Sequence, residues 1–193
     1  MRDLILASQS PRRSDLLTQM GFAFHTISAD VDESALVNEA PSQLVSRLAQ
    51  LKAQTVLTDP FNDILDSHVV LGADTIVVVN NEILGKPENF DGFQRMMRLL
   101  SASTHTVMTA INVSDNNKSK SQLVSTTVTF CDLSDEDIER YWLTGEPRDK
   151  AGGYGIQAVG GQFVASINGS YSAVVGLPMV ETRQLLAEFG VSQ

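Results

Sequence analysis

At 193 residues, 42% apolar and 19% charged, the chain can bury about two-thirds of the surface an unfolded chain exposes, as one domain or two small lobes sharing a core. Cys131 is the single cysteine, which excludes an intrachain disulfide and a cysteine-based zinc cluster and fits a reducing compartment. A net charge of -9, with no long basic run to offset it, disfavours nucleic acid or an anionic membrane as partner, but leaves room for a small anionic ligand if a few cations are gathered or a metal ion bridges the two. The apolar run after Arg2 is too short for a signal sequence, and no run approaches the roughly eighteen residues of a membrane span, so a cytoplasmic protein is expected.

Leu4 to Ala7 is a short apolar strand, and Ser10-Pro11 opens a helix that stops at Gly21, with Ser as N-cap, Pro at the first turn and Gly just past the end. Phe24 to Ser28 fits a second strand, followed by an acidic loop, Asp30-Val31-Asp32-Glu33. Pro41 opens a helix running to about Leu57, with Leu44, Leu48, Leu51 and Thr55 at helical spacing. A polar loop is expected from Thr58 to Ser67. From Val69 to Val79 a β-branched stretch, interrupted only by Gly72 to Thr75, reads as a central strand; Asn80-Asn81 is a two-residue turn into a return strand at Glu82 to Leu84.

Phe93, Met96, Met97 and Leu100 mark a further helix, and Thr104 to Val113 and Gln122 to Phe130 two more strands around the turn at Asp115 to Lys118. Ser134 with Asp137 predicts a capping box for a helix carrying Ile138, Tyr141 and Trp142. Between Gly145 and Gly176 stand eight glycines in 32 residues, so this backbone turns tightly or approaches something closely. Pro178 opens a last helix. Strands and helices alternate throughout, which predicts an α/β protein with a mixed central sheet and flanking helices, and no linker separates independent domains.

Ser8-Gln9-Ser10-Pro11-Arg12-Arg13 places two arginines at a strand-to-helix junction, where unpaired amides and the helix dipole favour an anion. An exposed arginine pair fits the pattern as well. Asp74, embedded among Val and Ile, costs several kcal/mol unless it is paired, metal-bound or at the open end of the strand. The alternative is a tight loop with Asp74 in solvent. Lys52 falls within or beside an apolar stripe, where a snorkelling side chain is the commoner arrangement. Glu33 closes an acidic trio that is solvated by default, yet with Asp74 it would supply the hard oxygens that Mg²⁺ takes alongside phosphate. Lys86 and Lys150 stand beside Gly or Pro at element ends, while His25, His68 and His105 form no ligand pattern. A dinucleotide fold, a Walker A loop and a nucleophile elbow are all unsupported.

The stretches Leu4-Ile5-Leu6-Ala7-Ser8-Gln9-Ser10-Pro11-Arg12-Arg13, Asp32-Glu33, Lys52-Ala53, Gly72-Ala73-Asp74-Thr75, Gly85-Lys86-Pro87, Asp149-Lys150-Ala151-Gly152 through Gln157, Ile167-Asn168-Gly169-Ser170-Tyr171 and Val175-Gly176-Leu177-Pro178 follow in an order that resembles the Maf family of nucleoside triphosphate pyrophosphatases. Each is short, but together they run nearly end to end. The resemblance implies a single domain over residues 1–193, two-lobed with a deep groove and akin to the inosine triphosphatase fold, often a homodimer. It implies hydrolysis of a nucleoside triphosphate to monophosphate and pyrophosphate with a divalent metal, Mg or Mn. By carry-over Asp74 is the proton acceptor, and Arg12, Thr75 and Gln157 set substrate preference. The branch acting on 7-methyl-GTP typically has Trp, Gln and Glu at these three positions, so this chain resembles the dTTP/UTP branch; Gln9 is a small departure.

The residues fit such chemistry. Arg13, Lys52 and Lys86 are candidates for holding the polyphosphate, Ser8, Ser10 and Lys150 are further candidates for binding the substrate, and Glu33 and Asp74 for holding the metal. Asp74 serves equally as base or as metal ligand at this level. A nucleotide-binding regulator of cell division, or an enzyme clearing modified pyrimidine nucleotides, would present the same triphosphate site.

Overall fold

The structure, a computed structural model, describes residues 2–62, 64 and 67–193. The fold is α/β, with a mixed sheet and flanking helices. Its elements are β1 (Asp3–Ala7), α1 (Pro11–Gln19), β2 (Phe24–Thr26), α2 (Pro41–Thr58), β3 (His68–Val79), β4 (Glu82–Leu84), α3 (Phe90–Leu100), β5 (Thr104–Ser114), β6 (Ser119–Phe130), α4 (Asp135–Leu143), β7 (Val164–Asn168), α5 (Tyr171–Val175) and α6 (Met179–Glu188). Strands are hydrogen-bonded in the order β2-β1-β3-β5-β6-β7, with β4 on β3. No described helix is long and apolar enough to cross a membrane.

The chain resolves into two compact units interleaved in sequence: residues 1–74, 109–124 and 176–193 in the first, residues 75–108 and 125–175 in the second. In the first, β1 lies parallel between β2 and β3, with Leu4 opposite Phe24 and Ala7 opposite Gly72. Parallel strands need cover on both faces, and Val69 to Asp74 are all buried. Along β3 alternate residues share a face, so Val70, Gly72 and Asp74 point the same way. Val70 packs with Ile5, Ala7, Ala53 and Val56. At Gly72 the backbone of α2 is so close that a Cβ would lie 2.2 Å from the Ala49 carbonyl oxygen and 2.8 Å from the Ala53 nitrogen. Glycine is therefore the one residue that fits there. The same close approach puts Lys52, between those alanines, over the next position on that face, Asp74.

In the second unit β4 returns antiparallel on β3 through Asn80 and Asn81, both with positive φ (49° and 64°), as the paired asparagines predict. Its core gathers Val77, Val79, Leu84, Phe93, Met97, Leu100, Val107, Val128, Phe130, Ile138, Tyr141, Tyr154 and Phe163. The Ser134–Asp137 capping box of α4 is present in both directions.

Several boundaries differ from expectation. Strand β2 ends at Thr26 rather than Ser28, and α6 begins at Met179 with Pro178 as its flanking residue. Ser10 holds the N-cap position of α1, but its hydroxyl makes no capping bond. Strand β7 and the short α5 had no apolar periodicity to announce them. The loop expected over Thr58 to Ser67 falls partly outside the described residues, and Thr58 itself closes α2.

His105 is buried in the second unit, its Nε2 2.8 Å from the Tyr154 hydroxyl and its ring edge-on to Phe130 and Tyr154. Its Nδ1 has no hydrogen-bond partner. Burial lowers its pKa from 6.5 to about 4. Above the unfolded value both states are neutral and the full stability is present. As pH falls toward the folded value, the unfolded chain takes up a proton that the folded chain refuses. Acidification from about pH 6.5 to 4 therefore removes about 3 kcal/mol through this one group. Urea unfolding at stepped pH will show a flatter profile for His105→Phe than for the wild type over that window.

Candidate active site

Asp74 lies in mid-strand, two residues past the last pairing of β3 with β1 and so just beyond the carboxyl end of β1, the end at which parallel strands of α/β proteins present ligand sites. It is inside a continuous strand and 6% exposed, so it is not a solvated turn residue. Lys52 is 8% exposed. Lys52 Nζ stands 2.6 Å from Asp74 Oδ1 and 2.6 Å from Glu33 Oε1. The snorkelling arrangement is thereby corrected: the stem does run beside apolar residues, but the head is held between two carboxylates. Glu33, the more exposed partner, is likewise no member of a merely solvated trio.

The arginines complete the cluster. Ser8, buried after the end of β1, accepts hydrogen bonds from the Ser10 amide and from Arg13 Nη1, each at 3.1 Å. Arg13 Nε donates to the Gly176 carbonyl at 2.9 Å, which fixes the guanidinium from its other edge. Burial lowers the Arg13 pKa, Asp74 acts against that shift, Arg12 adds to it and Glu33 opposes it. These carboxylates are the negative charge that two arginines in the first turn of α1 require. Burial pushes the Asp74 carboxyl above its ordinary range, while the charge and hydrogen bond of Lys52, and then Arg13, pull against it. A partly desolvated carboxylate among cations is the environment of a proton acceptor poised above the usual aspartate range.

Sequence reasoning missed how Glu33 is held. Arg47 on α2 donates from Nε and Nη2 to the two carboxylate oxygens of Glu39, at 2.6 and 2.8 Å, and from Nη2 to the Ser34 carbonyl at 3.0 Å. That bidentate bond, with the Leu36 amide, lowers the Glu39 carboxyl to about 2. The loop bearing Glu33 is thus tied to the same helix as Lys52. A Glu and an Arg eight residues apart, one before the helix and one within it, leave no periodic signal.

Oxygens of Glu33 and Asp74 converge on a single cation. That donor pair fits a divalent metal whose other ligands are phosphate and water oxygens. Among the described residues no group of three or more His, Cys, Asp and Glu has metal-holding geometry.

Ser8, Ser10, Arg12, Arg13, Glu33, Lys52 and Asp74 all belong to the first unit; Thr75, Lys86, Lys150 and Gln157 belong to the second. Thr75 is half-buried, and Lys86 and Gln157 are exposed. Lys150 is engaged locally, its Nζ 2.7 Å from the Glu146 carbonyl and 2.6 Å from Asp149 Oδ1.

The profile of the family described as "Maf-like protein" matches residues 3–189. A protein of Pseudoalteromonas atlantica named dTTP/UTP pyrophosphatase is 54% identical over 189 residues, 98% of each chain. Proteins of the same name from Shewanella oneidensis (51% identical, 98% of this chain and 99% of that one) and Vibrio vulnificus (49%, 98% and 100%) are also similar. Among solved structures, the Ham1 protein of Staphylococcus aureus aligns with a TM-score of 0.48 and 14% identity, over 68% of this chain and 73% of that one.

The close approach at Gly72 gives a direct test of the site's scaffold. Gly72→Ala will lower the free energy of unfolding by about 1–3 kcal/mol or more, the usual cost of overpacking. Gly85→Ala, where a Cβ would meet nothing within 4 Å, is the matched control and will change it far less. Chemical denaturation of the two variants decides.

Proposed function

The chain belongs to the Maf-like family, and from that premise we propose that it hydrolyses nucleoside triphosphates, dTTP and UTP foremost, to monophosphate and pyrophosphate. The observation that carries the reading is the buried Asp74 carboxylate, held by Lys52 and faced by Arg13, within the central strand just beyond the end of its parallel pairing with β1. The names borne by relatives of about half-identical sequence support the same choice of substrate.

In this reading a water attacks the α-phosphorus, the bond from that phosphorus to the bridging oxygen breaks, and pyrophosphate leaves carrying the electron pair. Asp74 accepts the proton of the water. Arg12, Arg13 and Lys52 offset charge on the polyphosphate, with the amides at the start of α1 beside them. Ser8 keeps Arg13 turned toward Asp74. Glu33 and Asp74 would hold a divalent metal, which supplies further neutralisation of a substrate of about four negative charges. Activity in excess chelator would remove that part of the proposal.

Asp74→Asn is expected to bind nucleotide yet lose roughly 10²–10⁴ in kcat, the usual worth of a positioned acid–base group. The acid limb of kcat/KM will lie above the ordinary aspartate value of about 3.9. Since Lys52 pulls the Asp74 carboxyl down, Lys52→Met will move that limb to higher pH in the activity that remains. A limb that does not move, or an Asn variant with near wild-type turnover, would take Asp74 out of the reaction.

For the base, we assign Arg12, Thr75 and Gln157 the selective role. An uncharged amide offers both a donor and an acceptor, matching the O4 acceptor and N3–H donor of uracil and thymine. Lost pairing leaves polar groups unsatisfied, so rejection is steep. dTTP and UTP will be much better substrates than GTP or 7-methyl-GTP, and the combination of Arg12→Trp, Thr75→Gln and Gln157→Glu will move preference toward the methylated purine. Values of kcat/KM across a nucleotide panel for both proteins test this.

A further inference from the structure

We infer that Glu146 is a positioning residue for base selection, its carboxylate serving as the internal anion around which the loop bearing Gln157 is folded. The inference rests on the assignment of Gln157 to the base. Gln157 lies two residues after Gly155 and two before Val159 in the glycine-rich segment. One flank ends on the Glu146 carboxylate directly, the other through the Tyr141 hydroxyl. The Val159 amide donates to Glu146 Oε2 at 2.9 Å and the Gly160 amide to Oε1 at 3.2 Å. The Tyr141 hydroxyl donates to Oε1 at 2.8 Å and accepts from the Gly155 amide at 3.0 Å. From the other side Lys150 Nζ grips the Glu146 carbonyl at 2.7 Å.

The glycines follow from this wrapping. A Cβ at Gly160 would lie 2.4 Å from the Tyr141 hydroxyl oxygen, and one at Gly155 2.7 Å from Lys150 Cε and 2.9 Å from Glu146 Oε1. What the backbone approaches so closely is the chain's own carboxylate and phenol. Tyr141 is 1% exposed and packed against Phe93 and Phe163, so the tie ends on a rigid ring in the core. Chain length and charge are both specified at position 146. Aspartate is one methylene short, and glutamine turns an N–H donor toward an amide that needs an acceptor. Such an arrangement fixes where the carboxamide of Gln157 is presented without touching the nucleotide itself.

The test uses the whole protein with UTP and GTP as probes, comparing wild type, Glu146→Gln, Gln157→Ala and the double variant. Glu146→Gln is expected to lower the UTP-to-GTP ratio of kcat/KM by about tenfold or more, through the KM for UTP rather than through kcat. The double variant will discriminate no worse than the poorer single one. Amide hydrogen exchange at Val159 and Gly160 will quicken in Glu146→Gln. Tyr141→Phe, which keeps the packed ring and removes only the hydroxyl, will change the ratio in the same direction and decides the matter if Glu146→Gln does not fold. A variant that keeps the wild-type ratio while kcat falls equally for both nucleotides, or that keeps wild-type exchange protection, overturns the inference. A wild type indifferent to the base overturns the assignment of Gln157 itself, and does so before any variant is compared.

Discussion

One ammonium group between two carboxylates organises the candidate site. Lys52 and Asp74 are both buried and would each be expensive without the other, while the half-exposed Glu33 closes the cluster toward solvent. A buried ion cluster of this kind is a poor source of net stability, because desolvation consumes most of the Coulombic gain. Its effect is to fix positions. Removal of the lysine would leave Asp74 with Arg13 as its remaining cation, and removal of Asp74 would leave the ammonium with Glu33 as its one ion-pair partner. Helix α2 carries both Lys52 and, through Arg47, the loop that delivers Glu33, so one element sets the geometry of three charges. That helix lies where it does because residue 72 has no side chain.

The glycine-rich segment obeys a similar constraint in another chemistry. Runs of glycine next to cations invite the expectation of a phosphate cradle. In this segment the amides of Val159 and Gly160 are already satisfied by the carboxylate of Glu146. Buried amides must be paired with something. An internal anion supplies the pairing permanently, so the loop keeps its shape whatever else is bound. Positive φ at Gly152 and Gly153, with Val77 and Phe93 packed where side chains would stand, extends the same economy of space to the start of the segment.

Much of the fold was legible in the sequence because its signals are local. A β-branched run marked β3, paired asparagines marked the hairpin turn, and Ser134 with Asp137 marked the start of α4. Asp74 was legible for a different reason: a carboxylate in an apolar strand is a physical contradiction that some partner must resolve. The partner was not legible. Lys52 sits 22 residues away, and a lysine on an apolar stripe is usually a snorkelling one. Only the crossing of α2 over Gly72 brings the two together, and that crossing is a tertiary fact. Glu39 with Arg47, and Tyr141 with Glu146, were invisible for the same reason. In each pair the donor sits on a helix and the acceptor, Glu39 or Glu146, in a segment outside it whose geometry no periodicity records.

Net charge and local charge point in opposite directions in this protein, and the difference bears on how an acidic chain can act on a polyanion. The whole carries -9, yet Arg12, Arg13 and Lys52 outnumber Glu33 and Asp74 within the cluster. Surface charge beyond about 8–10 Å is screened at physiological ionic strength, whereas partly buried charges are screened much less. The general acidity therefore discourages non-specific contact with nucleic acid, while a small anion that comes within reach of the cluster meets a local excess of positive charge. Concentrating cations where a backbone can approach, and spreading anions over the rest of the surface, selects for ligands that carry their charge in a compact group. A triphosphate is such a ligand; a nucleic acid strand, whose phosphates are strung along a chain, is not.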